Sequence, residues 1–323
     1  MKVLVLGGAG FIGRHVAAAL VERGHDVTIG TRAPWRTRRP LPAAIASCER
    51  REIHFERLTA RAAWHAVLAG HEAVVNAVGI LRPHGKATYD YVHHLAPAAL
   101  AAACRFSGRR LVHISALGLS EHARSGFLTS KLAGERAVTT SGAPYSIVRP
   151  SLLDGEGGFG TRWLCWFARW PVHLIPADAC GRIAVLHVKD LAEAIAILCE
   201  KPARAQWQEV EVGGRVALTM AEYLATLRAR HTARRAVRIS VPGWLARIVS
   251  HLCDVAHFSP FSFGHLELLR RDNVPSVNLL PELLGRAPLP LGVLWRSEVG
   301  HAAPVPLRRP ALKRGRWLGT PTA

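Results

Sequence analysis

The stretch that decides the fold runs from residue 2 to residue 32, "KVLVLGGAGFIGRHVAAALVERGHDVTIGTR". Val3 to Leu6 form an unbroken apolar run, the pattern of a strand covered on both faces. Gly7, Gly10 and Gly13 follow at every third position. From Phe11 the spacing turns helical, with Ile12, Val16, Leu20 and Val21 on one side and Gly24 as a helix stop. "HDVTIGT" then supplies a second strand. Strand, glycine turn, helix, strand is the setting in which such glycines have a purpose. They let the backbone turn tightly and approach a pyrophosphate, whose charge is met by N–H groups at the helix start. The pattern predicts a bound dinucleotide, with Gly7, Gly10, Phe11, Ile12 and Gly13 at its phosphates.

The end of the second strand bears on which dinucleotide. An acidic residue there accepts from the 2′-hydroxyl of NAD, whereas arginine suits the 2′-phosphate of NADP. Here stand Arg32, Arg36, Arg38 and Arg39, with no acid between Asp26 and Glu49. NADP(H) is favoured over NAD(H). If Arg36 to Arg39 are only a solvated basic loop, Arg32 carries that reading.

Apolar runs alternate with helical patterns through the first 200 or so residues, which predicts a Rossmann-type, doubly wound parallel α/β sheet. "HEAVVNAVGIL" (71–81) reads as strand four, ending in Asn76 and Gly79. "YDYVHHLAPAALAAACRF" reads as a helix carrying His93, "RRLVHISALG" (109–118) as strand five with Ser115, and "YSIVRPSLL" (145–153) as strand six with Pro150. Ligands of open sheets bind beyond the carboxyl ends of the strands, so Asn76, Gly79, His93, Ser115 and Pro150 are candidate cofactor contacts. Between the last two lies a helix, "SKLAGERAVTTSG". Beyond "DGEGGFGTRW" the character changes. "TMAEYLATLRARH" begins with the capping box Thr219–Glu222, and "VRISVPGWLARIVSHL" gives a short strand and a helix with Pro242 at its start. The expected organisation is a dinucleotide-binding domain over 1–155, a smaller interleaved substrate-side region over 156–303, and a basic tail over 304–323.

"NAVGIL", "HISALG" and "RPS" after strands four, five and six resemble the atypical and extended short-chain dehydrogenase/reductase family. They are most similar to the branch that includes the nucleotide-binding accessory subunit of respiratory complex I and its bacterial relatives. "LHVKDLAEAI" and "FSPFSFGHLELLRRDNV" carry the likeness to about residue 295. The resemblance implies tight NADPH binding and a structural or assembly role near respiratory, quinone-handling or quinone-biosynthesis complexes. In catalytic members a Tyr donates the proton, a Lys four residues on holds the nicotinamide ribose, and a Ser after strand five orients the carbonyl. Ser115 and Lys131 match two of these positions, and Phe127 stands where the tyrosine would be. His122, Tyr89 or Tyr91 are the candidate substitutes. The branch also places an adenine-binding aspartate after strand three, where this chain has Arg57, Leu58 and Thr59. Three readings stay open: a cofactor-holding structural component, a working oxidoreductase or epimerase/dehydratase on a hydrophobic or quinone-like substrate, and a nucleotide-sensing regulator.

Composition narrows the rest. The formal charge is +19, but 36 of the 42 basic residues are arginines scattered through the chain without a nucleic-acid motif, so nucleic acid is not an expected partner. The six cysteines lie far apart with no Cys-x-x-Cys pair, which fits a reducing compartment. No metal site is expected from the 17 histidines; His251, Cys253 and His257 share a helical stretch without a matched further ligand. No apolar run reaches a membrane span, so a cytoplasmic protein is expected. "RWLCWFARW" (162–170) puts Trp163, Trp166, Phe167 and Trp170 on one helical face between Arg162 and Arg169. That face packs a core, lines a hydrophobic pocket, or gives a peripheral contact with the inner face of the cytoplasmic membrane.

Overall fold

In the first strand, β1 (Lys2–Leu6), Val3, Leu4, Val5 and Leu6 have no exposed surface. Alternation along the strand sends them to opposite faces. Val3 and Val5 join one apolar layer, Leu4 and Leu6 the other. A sheet buried on both sides is the consequence. The computed structural model describes residues 1–34, 41–155, 157–201, 204–256 and 261–291.

With β1 go β2 (Asp26–Thr31), β3 (Glu49–Glu52), β4 (Ala73–Asn76), β5 (Arg110–Ile114) and β6 (Tyr145–Pro150). A seventh strand, Glu209–Val212, pairs with β6. All seven are parallel, in the spatial order 209–212, β6, β5, β4, β1, β2, β3. The sheet therefore draws a strand from well beyond residue 155. The helices are α1 (Phe11–Glu22), α2 (Trp64–Leu68), α3 (Ala96–Ser107), α4 (Gly126–Thr139), α5 (Phe159–Ala168), α6 (Val188–Glu200), α7 (Met220–Ala229), α8 (Gly243–Ala256), α9 (Phe263–Leu269) and α10 (Leu280–Leu284). Residues of α1, α6 and α10 form the layer with Val3 and Val5; Trp64, Leu68 and α3 form the other with Leu4 and Leu6.

Several boundaries differ from the sequence reading. The helix read from Tyr89 starts as a wider π-helical turn over Asp90–Leu95 before α3. The next helix, α4, begins at Gly126, because the Ser125 hydroxyl caps it by accepting from the Leu128 N–H. The stretch 145–153 divides into β6 and a two-residue strand, Leu153–Asp154, which pairs with Leu186–His187.

The remaining elements build a second, smaller core around Ala168, Ile183, Val185, Tyr223, Leu224 and Leu227. The capping box at Thr219 is formed in both directions: the hydroxyl accepts from the Glu222 N–H and the Glu222 carboxylate accepts from the Thr219 N–H. Val237–Val241 runs parallel to Val172–Pro176 as a two-stranded ribbon leading into α8. Among the described residues no helix is long and apolar enough to cross a membrane. The tail 304–323 lies outside them.

Candidate functional site

The strand order reverses between β1 and β4, and ligands of open parallel sheets bind beyond the strand ends at such a point. Gly7 occupies that point with φ +75°. A Cβ there would lie 3.0 Å from the Ala77 carbonyl oxygen. The Gly7 carbonyl accepts from the Gly10 N–H at 2.8 Å and closes the turn. A Cβ on Gly13 would stand 2.2 Å from that same carbonyl oxygen, so only glycine lets α1 approach so closely.

Gly10 is exposed and caps α1 with extended backbone and no side-chain acceptor. The first turn of α1 carries no acid. Its orphan N–H groups and the positive end of the helix dipole are thus left for an external anion. Arg14 adds to this: its guanidinium folds back to donate to the Ala9 and Gly10 carbonyl oxygens at 2.9 and 3.1 Å. Glycine spacing gave no hint of that arginine. Phe11 and Ile12 are half-buried, and Arg32 is exposed just past β2. Arg36, Arg38 and Arg39 lie outside the described residues.

Across the crevice, Ser115 follows β5 and is held by its N–H donating to Val148 O at 2.8 Å. Its hydroxyl is buried without a hydrogen-bond partner among the described residues. An open glycine cradle and a buried hydroxyl still wanting a partner are features a dinucleotide would complete. Pro150, buried at the end of β6, accepts from the Leu117 N–H at 3.1 Å and fixes the loop behind Ser115.

Lys131 extends from α4 with its ammonium 6.0 Å from the Phe127 ring centre. Burial pushes that ammonium down to about 8, against the upward pull of the Glu135 carboxylate one helical turn on. The Phe127 ring is itself enclosed by rings. Tyr89, His93 and His265 lie at 6.1, 5.6 and 6.1 Å between centres. A Cβ on Gly264 of α9 would be 3.1 Å from Phe127 Cδ1.

Three of the expected cofactor residues support the site from behind. His93 Nε2 accepts from the Ile80 N–H at 3.1 Å, which leaves Nδ1 to donate to Ser130 Oγ at 3.0 Å. Burial, reinforced by Lys131 and His113, drives its imidazolium down to about 2, so the ring is neutral and both nitrogens are engaged. Asn76 is equally committed: Oδ1 accepts from the Val78 N–H at 3.1 Å and the amide donates to His113 Nδ1 at 3.0 Å. Burial and then Lys131 hold His113 down to about 3, which keeps that nitrogen an acceptor. Gly79 passes beside His93, where a Cβ would lie in ordinary contact at 3.8 Å from Nε2.

Of the candidate substitute acids, Tyr89 touches the Phe127 ring but donates its hydroxyl to Leu81 O at 2.8 Å. Tyr91 is exposed. His122 lines a cavity of about 390 Å³ beside the loop after β5, with Arg124, Arg247, Glu267, Arg270 and Arg271. Among the described residues no group of three or more His, Cys, Asp or Glu side chains could hold a metal ion; His257 lies outside them.

Comparisons with known proteins agree with this architecture. Residues 3–213 match the NAD dependent epimerase/dehydratase family. The ceramide reductase of Caulobacter vibrioides is 28% identical over 200 residues, covering 62% of this chain and 61% of that protein. The mitochondrial NADH dehydrogenase (ubiquinone) 1 alpha subcomplex subunit 9 of Dictyostelium discoideum is 26% identical over 222 residues, 68% of this chain and 61% of that one. The chain thus spans less than two thirds of either relative. Among solved structures, MoeE5 in complex with UDP-glucuronic acid and NAD superposes with a TM-score of 0.61 at 22% identity, over 90% of this chain and 94% of that one. That likeness concerns the fold alone. With a glycine turn at the switch point of a seven-stranded parallel sheet and a family match spanning that whole sheet, the chain belongs to the NAD-dependent epimerase/dehydratase family.

Proposed function

We propose that the chain holds NADP(H) and serves as a structural or assembly component beside respiratory or quinone-linked enzymes, with little turnover of its own. The observation that carries this is Phe127: the position four residues before Lys131 has no proton to give, and rings surround it. Losing a general acid costs a factor of about 10²–10⁴ in rate. Holding the dinucleotide needs no such group. The turn from Gly7 to Gly13 and Arg14 would bind its phosphates, Arg32 the 2′-phosphate, and Lys131 and Ser115 the nicotinamide end. When bound, the dinucleotide supplies a hydride. The similarity to complex I subunits supports the accessory role, and the charge of +19 supports a peripheral contact with the inner face of the cytoplasmic membrane.

Arg32 sets the expected preference. NADPH binds more tightly than NADH by about one to two decades, the worth of a charge-assisted contact of roughly 1.5–3 kcal/mol. Calorimetric titration of both cofactors checks it, and Arg32→Asp should erase the difference. Equal affinities in the parent would sink the preference.

Lys131 gives the same site a pH dependence. Its ammonium is already depressed to about 8 by burial, so the charged form is lost as pH rises through that value. NADPH, an anion, favours the charged form. Its affinity should therefore hold on the acid side of about 8 and weaken above it, and Lys131→Ala should be weak and flat over that range. A parent affinity that does not change across this range would remove Lys131 from the binding site.

A second reading, a working reductase on a hydrophobic or quinone-like substrate, draws on the similarity to ceramide reductase and on the buried Ser115 hydroxyl, which has no partner among the described residues. Steady consumption of NADPH with an added carbonyl compound or quinone separates the two. Under the first reading the parent consumes almost none, and Phe127→Tyr gains activity if a carbonyl substrate fits.

A further inference from the structure

Helix α8 is turned the wrong way round for a helix of a monomer. Its inward positions are the small residues Ala246, Ser250 and Cys253. Its large apolar residues, Trp244, Leu245, Ile248, Val249, Leu252 and Val255, all face outward. Trp244 is 67% exposed, Leu252 61% and Val255 81%. At 3.6 residues per turn these six cover a continuous arc of roughly 140° with no polar residue inside it. The ribbon strand leading into α8 continues the pattern, with Val237 and Ile239 exposed and Ile239 paired to the exposed Leu174. Exposed apolar surfaces of this extent mark a contact with something else.

Charge says with what. From Tyr223 to Cys253 the chain has six arginines and no acidic residue. Arg234, Arg235 and Arg238 are exposed next to the apolar face. The first acid beyond, Asp254, is engaged by Arg82 and by the Phe263 N–H. A second copy docked on the same face would set one acid-free basic stretch against another. Lipid phosphates offer the opposite sign, and a tryptophan-bearing apolar face flanked by arginines is the pattern of a helix lying in a bilayer interface. We propose that α8 and the strand before it seat the protein on an anionic phospholipid surface; this rests on the peripheral contact inferred above and not on the dinucleotide.

The full chain is sedimented with vesicles of mixed phosphatidylglycerol and phosphatidylcholine, and with phosphatidylcholine alone. The parent should partition to the anionic vesicles, less so as salt screens the arginines. Ile248→Asp with Leu252→Asp should weaken that partition roughly tenfold or more, by placing charge in the buried stripe. Both positions are exposed, so the denaturation midpoint should stay at the parent's value. Parental partition by the folded double variant would overturn the assignment and move the contact elsewhere, Trp166 of α5 and Trp170 just past its end included. Failure of the parent to bind either vesicle would overturn the membrane contact itself. Equal binding to both vesicles would remove the role of charge. A parent dimer that the double variant turns into a monomer, with no lipid binding, would make the face a contact between copies.

Discussion

Gly10→Val should bring NADPH affinity down by about two decades or more, roughly 2.7 kcal/mol, while the protein stays folded. The structure separates the two effects. Gly10 has φ −75° and ψ 179°, extended backbone that any residue adopts. Among the described residues an added Cβ there meets one atom, the Gly7 carbonyl oxygen at 3.0 Å. The valine branches would instead occupy the space over the orphan N–H groups of α1, where a pyrophosphate has to sit. Fluorescence titration beside a denaturation curve measures both quantities. Parental affinity in the folded variant would mean that this turn is not the cofactor site. Gly13→Ala is the contrasting case, because its Cβ would meet backbone at 2.2 Å and disturb the turn itself.

The largest loss of stability is expected from a glycine outside the dinucleotide turn. Gly134 of α4 is buried against the π-helical turn at Asp90–Leu95. A Cβ on it would stand 1.7 Å from the His93 carbonyl oxygen and 2.9 Å from its carbon. Neither backbone can retreat without moving Lys131 on one side or His93 on the other. Gly134→Ala should cost about 3 kcal/mol, at the upper end for overpacking, and weaken NADPH binding as α4 shifts. A lower denaturant midpoint at unchanged slope is the expected result. An unchanged midpoint would show that the two segments are not packed this closely in solution.

The contrast between these glycines shows what sequence could and could not reveal. Gly7, Gly10 and Gly13 stand at short spacing between a buried strand and a helix, so local pattern alone located β1, the turn and α1. Gly134 touches a carbonyl 41 residues away in sequence, at His93, and nothing near it in the chain announces that contact. The same holds for His93 and Asn76. Their positions at the ends of strand four and its helix were legible, yet their side chains proved to be spent on Ile80, Ser130, Val78 and His113. Strand β3 reads "ERRE" and carries no apolar alternation, because among the described residues it is an edge that pairs through its backbone with β2 alone. Helix α8 was visible in the sequence behind Pro242, but that reading does not say which face turns inward. Here the small residues won the interior, and the large ones were left for another surface.

The most direct test of a dinucleotide-holding protein without its acid is to follow its own cofactor. Purified protein is denatured and the released dinucleotide quantified, while a native portion is incubated with NADPH and a set of quinones and carbonyl compounds. The expected result is NADPH recovered in near-equimolar amount, with its oxidation at the level of the protein-free control. Rapid NADPH oxidation by the unaltered protein, with Phe127 in place, would contradict it.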